Sequence, residues 1–339
     1  MISVKCFSIA FLMNHSLRRA WTRFWEFGGF RLLGEYARMG LVWTAVKAAV
    51  RCLLGKRPIT DAYFGVLQKV EKTLTERYEP LLLDALHECR SAENNGEQTV
   101  PHIVWTCWLQ GMEDAPALVR ACIASQKEML ADYDHRVLTL DNYRQWVDVP
   151  EIVERKYAKG LIPAALFSDI LRVAALKKYG GVWMDASVLC TGFDNDVLKA
   201  QWLAVENSRF TVCRYYARGA RVPSGLSNWF IAAAPGGVVL TAVYDALVAY
   251  WKDYNCTVDY YMMHLFISLA LRALPELDCA MPKINSRFCF LLGNSLGKDF
   301  NEVAWRDLIA HVGMHKLNYR KADEALLNLH SYCRYIIGA

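Results

Sequence analysis

The sequence predicts an α/β protein, a sheet covered by helices on both faces and preceded by a basic, helical N-terminal region. Apolar segments of strand length alternate with helical segments of roughly 10–16 residues after residue 99. Apolar side chains make up 54% of the 339 residues and charged ones 22%, which excludes a disordered or fibrous chain. The basic excess lies in the first 60 residues, which hold ten Lys/Arg and two acids.

The N-terminal region, residues 1–95, has the pattern of amphipathic helices. Trp21 and Phe24 recur at helical spacing, whereas Arg19 and Arg23 fall on another face. Basic helices with an aromatic apolar face dock on anionic membranes, which is the first interpretation of this region. The second is a helical hairpin packed on the chain's own domain with its charges solvated. The sequence leaves both open.

A polar connector, residues 91–98, separates this region from the predicted second domain, residues 96–339. In that domain we predict strands at 100–109, 136–140, 182–190 and 229–234, and helices at 116–129, 163–179, 237–251 and 259–273. Ligands of such sheets lie beyond the carboxyl ends of the strands, so we expect a site there.

Composition narrows the class of protein and its compartment. The 11 cysteines are odd in number and form no C-x-x-C pair, which argues for a reducing compartment rather than a disulfide framework or zinc site. The sequence contains no stretch of 18 uncharged apolar residues, so no membrane-spanning helix is predicted. Outside residues 1–60 the net charge is −3, which excludes nucleic acid as the partner. We expect a cytoplasmic protein, and the first interpretation of the N-terminal region places it on the inner face of the membrane.

The stretch 167–187, FSDILRVAALKKYGGVWMDAS, brings together residues suited to chemistry. Ser168, Asp169 and Arg172 share one face of an otherwise apolar helix. A Gly pair then allows a tight turn into a strand that ends at Asp185. This arrangement favours a hydroxylated, anionic ligand held with a metal. The alternative is a surface ion pair worth less than ~1 kcal/mol, with Asp185 as a turn residue.

The same stretch, S-D-I-L-R-x-x-x-L-x-x-x-G-G-x-[WY]-x-D, resembles the sugar-nucleotide motif of glycosyltransferase family 32. That group includes capsular-polysaccharide synthesis proteins, the closest likeness, and the glucosylating domains of large clostridial toxins. Softer similarities extend the resemblance from about residue 100 to about residue 320. It implies a GT-A-type, Rossmann-like fold and a retaining transfer from a nucleotide-diphosphate sugar, such as a UDP-sugar. The acceptor would be a saccharide, free or lipid-linked, in capsular or other surface polysaccharide synthesis.

The resemblance also implies roles for individual residues. Trp108 matches the position that stacks on the nucleotide base. Asp169 and Arg172, with Ser168 beside them, match the group that holds the nucleoside and diphosphate. Asp185 matches the first Asp of the Asp-x-Asp motif and, with Arg172, carries the catalytic assignment. Further candidates are Lys316 for phosphate, His315 for a metal, and Asn228 and Trp229 for the donor sugar or acceptor. His264, on an apolar helix, is interpreted as structural.

The sequence departs from the family pattern where the second Asp should stand. Ser187 takes that place, and a hydroxyl is a weaker ligand for a hard cation than a carboxylate. The predicted Mn²⁺ or Mg²⁺ set is therefore Asp185, Ser187 and His315, with metal dependence left open. A literal Asp-x-Asp at 194–196 reads as a turn. Ser187 also motivates an alternative function, a non-catalytic nucleotide-sugar or glycan-binding protein with a degenerate transferase fold.

Overall fold

The computed structural model describes residues 25, 29–43, 46, 59–92, 99–192, 202–206, 226–275 and 283–338. The predicted helical residues Trp21 and Phe24, the connector beyond residue 92 and the turn predicted at 194–196 lie outside this part of the chain. Strands and helices alternate through most of the described chain after residue 99, as the sequence predicted. The α/β class is therefore confirmed.

In the described part of the chain, six strands form a mixed sheet, and two more form a small second sheet. The strands are β1 Ile103–Cys107, β2 Asp134–Leu138, β3 Gly181–Met184, β4 Val188–Cys190, β5 Trp202–Glu206, β6 Leu226–Ala233, β7 Lys283–Asn285 and β8 Met314–Lys316. The main sheet has the order β2-β1-β3-β6-β5-β7, in which β6 runs antiparallel to both of its neighbours. Strands β4 and β8 pair with each other, antiparallel.

The helices pack on the sheet and on one another. They are α1 Phe30–Arg38, α2 Ile59–Ala92, α3 Ala117–Met129, α4 Glu151–Ala158, α5 Ala164–Tyr179, α6 Val238–Asp253, α7 Met262–Ala273, α8 Ser286–Cys289, α9 Glu302–His311, α10 Ala322–Ala325 and α11 Tyr332–Ile337. Helix α5 is buried almost all round, which explains its nearly continuous apolar sequence. Among the described helices, none is both long enough and apolar enough to cross a bilayer.

The single strand predicted over 182–190 is wrong, because the chain turns at 185–187 and divides it between the two sheets. The backbone N–H of Val188 donates to the carbonyl of Asp185 at 2.9 Å, which closes a tight turn. Asp185 itself is held against β6 by a bond from its N–H to the carbonyl of Trp229, also 2.9 Å. The carboxylate therefore lies where β3 ends.

Two glycines allow α5 to lead directly into β3. Gly180 has a φ of 64°, and a Cβ there would lie 2.7 Å from the backbone nitrogen of Pro235. Gly181 has a φ of 101°, and a Cβ there would lie 2.6 Å from the carbonyl oxygen of Ile103. Both positions combine a left-handed backbone with a close approach, so neither accepts a side chain without strain.

The described N-terminal helices share the hydrophobic core of the sheet region. Leu32 and Tyr36 on α1 and Leu74 on α2 are buried in the same cluster as Trp183 of β3. This contact agrees with the second interpretation of the N-terminal region for the residues that the structure describes. The opposite face of α1 presents Phe30, which is 68% exposed.

Candidate active site

A cleft of about 660 Å³ opens at the edge where β1 and β3 end and β6 begins. It brings together nine of the ten predicted site residues: Trp108, Ser168, Asp169, Arg172, Asp185, Ser187, Asn228, Trp229 and Lys316. Parallel strands place their carboxyl ends at one edge, and the antiparallel β6 starts there, which explains the convergence.

Arg172 joins two carboxylates at the floor of this cleft. Its guanidinium donates to Oδ1 of Asp169 at 2.8 Å and to Oδ1 of Asp185 at 2.9 Å. Asn228 Nδ2 donates to the same oxygen of Asp169 at 3.2 Å. Asp169 is 7% exposed and Arg172 4%, so the pair is not the solvated surface pair that the alternative reading required.

Lys316 reaches the same cluster from the second sheet. Its Nζ donates to Oδ2 of Asp185 at 2.6 Å and to Oγ of Ser187 at 2.8 Å. The pairing of β4 with β8 sets this position, since Val188 lies opposite Lys316. Asp185 therefore has a cation on each of its two oxygens.

The pKa values of the two carboxyl groups are shifted in opposite directions. Burial raises the pKa of Asp169 to about 6, against the opposing charge of Arg172. Burial acts in the same direction on Asp185, but the charges of Lys316 and Arg172 outweigh it and lower the pKa of that carboxyl. Asp185 is thus ionised throughout the neutral range, whereas Asp169 begins to protonate below neutrality.

Two further residues, which the sequence analysis did not select, fix Asp185 in place. Gln126 is 1% exposed, and its Nε2 donates to the carbonyls of Asp185 at 3.1 Å and Val188 at 2.7 Å. Trp183 Nε1 donates to Oδ1 of Asp185 at 2.9 Å. Gln126 is distant in sequence, so no local pattern marks it. Trp183, two residues from Asp185 on a strand, shares its face.

Aromatic rings line one end of the cleft. The rings of Trp108 and Tyr319 meet edge to face with their centroids 5.2 Å apart. Trp108 is partly buried, and its Nε1 has no hydrogen-bond partner among the described residues. The exposed Arg320 follows in the same wall. This end can accept a flat ring and an adjoining anion.

The opposite wall carries unpaired polar nitrogens. Within the described chain, Nε1 of Trp229 and Nδ1 of His264 are shielded from solvent and make no hydrogen bond. Burial lowers the pKa of His264 to about 4, so this imidazole is neutral near pH 7. The sequence analysis interpreted His264 as structural, whereas this residue lines the cleft. Helical spacing alone cannot show that one residue of an apolar helix borders a cleft. Unbonded nitrogens on two residues that line the cleft suit a hydroxylated ligand.

His315 is the predicted site residue that the structure does not bring to the cleft. It is fully buried, its Nε2 lies 3.0 Å from Oγ1 of Thr191, and its ring stacks on Trp305. Neighbouring residues of a strand point to opposite faces, so Lys316 in the cleft turns His315 away from it. The placement of His315 as a metal ligand is thereby corrected.

The remaining predicted metal ligands do not fit a divalent cation in this arrangement. In the described part of the chain, no cluster of three or more His, Cys, Asp or Glu side chains could hold a metal ion. Asp185 supplies a single carboxylate, and both of its oxygens accept hydrogen bonds. The hydroxyl of Ser187 is bonded to an ammonium. Hard cations prefer several anionic oxygens, which this set lacks.

Comparison with known proteins identifies the class. The family model of capsular polysaccharide synthesis proteins matches residues 54–336. The chain belongs to this family, and its mixed sheet agrees with the GT-A-type fold that the resemblance implied. Among solved structures, the chain is similar to one titled "PaToxG Glycosyltransferase", at 13% identity and a TM-score of 0.34, covering 62% of this chain and 81% of that one. No curated protein sequence is similar enough to match.

Proposed function

We propose that this protein is a glycosyltransferase that moves a sugar from a nucleotide-diphosphate donor to a saccharide acceptor, in the synthesis of a capsular or other surface polysaccharide. A UDP-sugar is the first candidate donor. The observation that carries the proposal is the convergence of Arg172 and Lys316 on Asp185 inside a cleft of about 660 Å³. Membership of the capsular polysaccharide synthesis family supports the same conclusion.

The cleft residues suggest how the donor lies. The base stacks at the aromatic end formed by Trp108 and Tyr319. The diphosphate lies beside Arg172 and Lys316, because guanidinium and ammonium groups bind phosphate oxygens strongly. The sugar then reaches the wall with the unpaired nitrogens of Trp229 and His264, where its hydroxyls find partners.

The reaction breaks the bond between the anomeric carbon and a diphosphate oxygen, whose electron pair stays on the diphosphate. Preorganised cations next to the leaving group stabilise that charge, and Arg172 and Lys316 are held in position to do so. The new bond forms between the anomeric carbon and an acceptor hydroxyl, whose proton passes to a diphosphate oxygen.

Retention of configuration is part of the proposal. Among the residues that the structure describes, the carboxylates lining the cleft are Asp169 and Asp185, and Arg172 binds both. A carboxylate neutralised in this way is a poor nucleophile. We therefore propose that the acceptor attacks from the side on which the diphosphate leaves.

Ser187 favours a second candidate function, a non-catalytic nucleotide-sugar or glycan-binding protein. One experiment separates the two. Purified protein is incubated with a panel of nucleotide sugars and saccharide acceptors, while thermal stability and nucleoside-diphosphate release are measured. A transferase shows stabilisation by the donor and release that depends on the acceptor. A binding protein shows stabilisation alone. The absence of both stabilisation and release would contradict both functions.

The matched variants for this experiment are Asp185→Asn in the cleft and Asp132→Asn on the exposed surface. Asp185→Asn removes the charge that Arg172 and Lys316 share. It should lower donor turnover by about 10²-fold or more, in the range of losing one preorganised electrostatic partner. Asp132→Asn should leave turnover unchanged. Equal turnover in both variants would contradict the assignment of the cleft.

We also propose that the N-terminal region docks the enzyme on the cytoplasmic face of the membrane, near a lipid-linked acceptor. Residues 1–60 carry a net charge of +8, and Phe30 and Trp43 are 68% and 74% exposed. Exposed aromatic side chains on a basic segment suit an anionic lipid surface. Phe30→Ser with Trp43→Ser should reduce sedimentation with anionic phospholipid vesicles. Leu329→Ser, at a side chain 69% exposed elsewhere, should not.

A further inference from the structure

Lys316 occupies a defined place between two oxygens of the motif. Its Nζ lies 2.6 Å from Oδ2 of Asp185 and 2.8 Å from Oγ of Ser187. Its backbone is also fixed: the N–H of Leu317 donates to the carbonyl of Ser187 at 2.9 Å, and a Cβ on Gly293 would lie 2.5 Å from the carbonyl oxygen of Lys316. The ammonium is therefore part of the site rather than a passing surface charge.

The charges at this place differ from those of a paired-carboxylate motif. Two aspartates would present two negative charges to a divalent cation. Here Asp185 presents one negative charge and Ser187 is neutral. Arg172 and Lys316 contribute two positive charges, and Arg172 is also paired with Asp169. A dication added next to them would meet repulsion from both cations. Among the described residues, the two carboxylates of the cleft, Asp169 and Asp185, are already paired with these cations. A mobile anion, by contrast, would be attracted, because Arg320 and Lys321 also line the cleft and add two further positive charges.

We propose, on the basis of the function proposed above, that the Lys316 ammonium takes the place of the divalent cation in this enzyme, so that donor binding and transfer proceed without metal. Ser187 has a matching role, since a neutral hydroxyl orients the ammonium without cancelling its charge. The second carboxylate of a paired motif would neutralise Lys316 and remove its hold on the diphosphate.

Lys316 remains a protonated ammonium throughout the proposed transfer. The bond from the anomeric carbon to the diphosphate oxygen breaks, and the electron pair remains on that oxygen. The Lys316 ammonium donates a hydrogen bond to the diphosphate as its charge grows. The acceptor hydroxyl forms the new bond to the anomeric carbon, and its proton goes to the diphosphate. Lys316 gains and loses no proton.

The test compares the full-length protein in EDTA and in MnCl₂. Calorimetry measures binding of UDP, GDP, ADP and CDP, and nucleoside-diphosphate release measures turnover of the matching nucleotide sugar. We expect the tightest nucleoside diphosphate to bind equally in both media, with equal turnover. Binding or turnover that is lost in EDTA and restored by Mn²⁺ would overturn the inference and leave the proposed function standing. Binding in neither medium would contradict both.

Variants of the lysine sharpen the result. Lys316→Met should lower turnover by about 10²–10³-fold in both media, and Lys316→Arg, which keeps the charge, should recover part of it. The double variant Lys316→Met with Ser187→Asp should acquire Mn²⁺-dependent binding of the nucleoside diphosphate. Lys298→Met, at an exposed lysine outside the cleft, is the control. Normal turnover by Lys316→Met would contradict the inference. If this variant fails to fold, the turnover of Lys316→Arg and of the parent protein in EDTA and in MnCl₂ tests the inference instead.

Discussion

Two clusters of cations and carboxylates in the described chain differ in their surroundings. At the packing of α2 on α6, Asp253 accepts bonds from Arg77 at 2.9 Å and the hydroxyl of Tyr78 at 2.7 Å. Nearby, Lys156 donates to the carbonyl of Tyr254 at 2.9 Å, beyond the end of α6. These bonds tie one helix to another, so their partners all belong to the protein.

The cleft cluster of Arg172, Asp185 and Lys316 borders a cavity instead. Within the described chain, Nε of Arg172 and Nδ1 of His264 remain buried without a partner, although a buried polar group ordinarily finds one. The bonds of the interface cluster are thus made within the protein, whereas the cleft cluster leaves polar atoms to which a ligand could bond. Substitutions in the two clusters should separate stability from activity.

The largest effect is expected from Arg172→Met. This change leaves the buried Asp169 without its cation and removes one of the two cations from the half-buried Asp185, and breaking a buried pair destabilises a fold by about 3–5 kcal/mol. Turnover of the donor should fall by about 10³-fold. Urea denaturation and nucleoside-diphosphate release measure the two effects. Arg172→Lys should restore part of the stability, because one carboxylate regains a cation. It should restore little turnover, because an ammonium cannot bridge both carboxylates as the guanidinium fork does.

A smaller effect is expected from Trp108→Ala at the aromatic end of the cleft. Loss of stacking on a base weakens binding by about 1–3 kcal/mol, or roughly 5–150-fold in the dissociation constant of the nucleoside diphosphate. Calorimetry checks this value. Trp43→Ala, at an indole 74% exposed outside the cleft, should bind as the parent protein does. Equal affinities for both variants would remove Trp108 from the donor site.

A pH-dependent effect is expected from Asp169. Its pKa is raised from 3.8 to about 6 by burial, so the native state binds this proton more tightly than the unfolded state. The resulting stabilisation is fully present below about pH 4 and is lost as the pH rises through about 6. Asp169→Asn removes this dependence. Urea denaturation from pH 4 to 7 should show that the free energy of unfolding of the parent protein falls relative to that of Asp169→Asn. A difference between the two proteins that stays constant with pH would contradict the raised pKa of Asp169.

The smallest effect is expected from Arg77→Leu in the interface cluster. Arg77 is 53% exposed at its side chain, and exposed ion pairs contribute less than about 1 kcal/mol. Denaturation should register a small loss of stability, and donor turnover should not change. A large loss of turnover would show that the two clusters are coupled.

The sequence could predict much of the site because its residues are close along the chain. Asp169 and Arg172 are one helical turn apart, and the Gly pair leads from α5 into β3, so local geometry places Asp185 beside them. The break after β3 was missed, because the apolar run 182–190 continues on both sides of the turn. Only pairing with distant strands shows that β3 and β4 belong to different sheets.

Long-range packing also explains the other differences between the predicted site and the site in the structure. His315 and Lys316 are neighbours in sequence, but strand geometry gives them opposite faces, and the sequence did not mark β8 as a strand. Gln126 fixes the turn at Asp185 from a helix 59 residues earlier. His264 borders the cleft through the packing of α7, which no local spacing reveals.

The most direct test of the proposed donor site is a crystal structure of the protein with the nucleoside diphosphate that binds it most tightly. We expect the diphosphate to lie between Arg172 and Lys316 and the base to lie against Trp108. A nucleotide bound elsewhere, with the Lys316–Asp185 pair untouched and the cleft filled only by solvent, would contradict it.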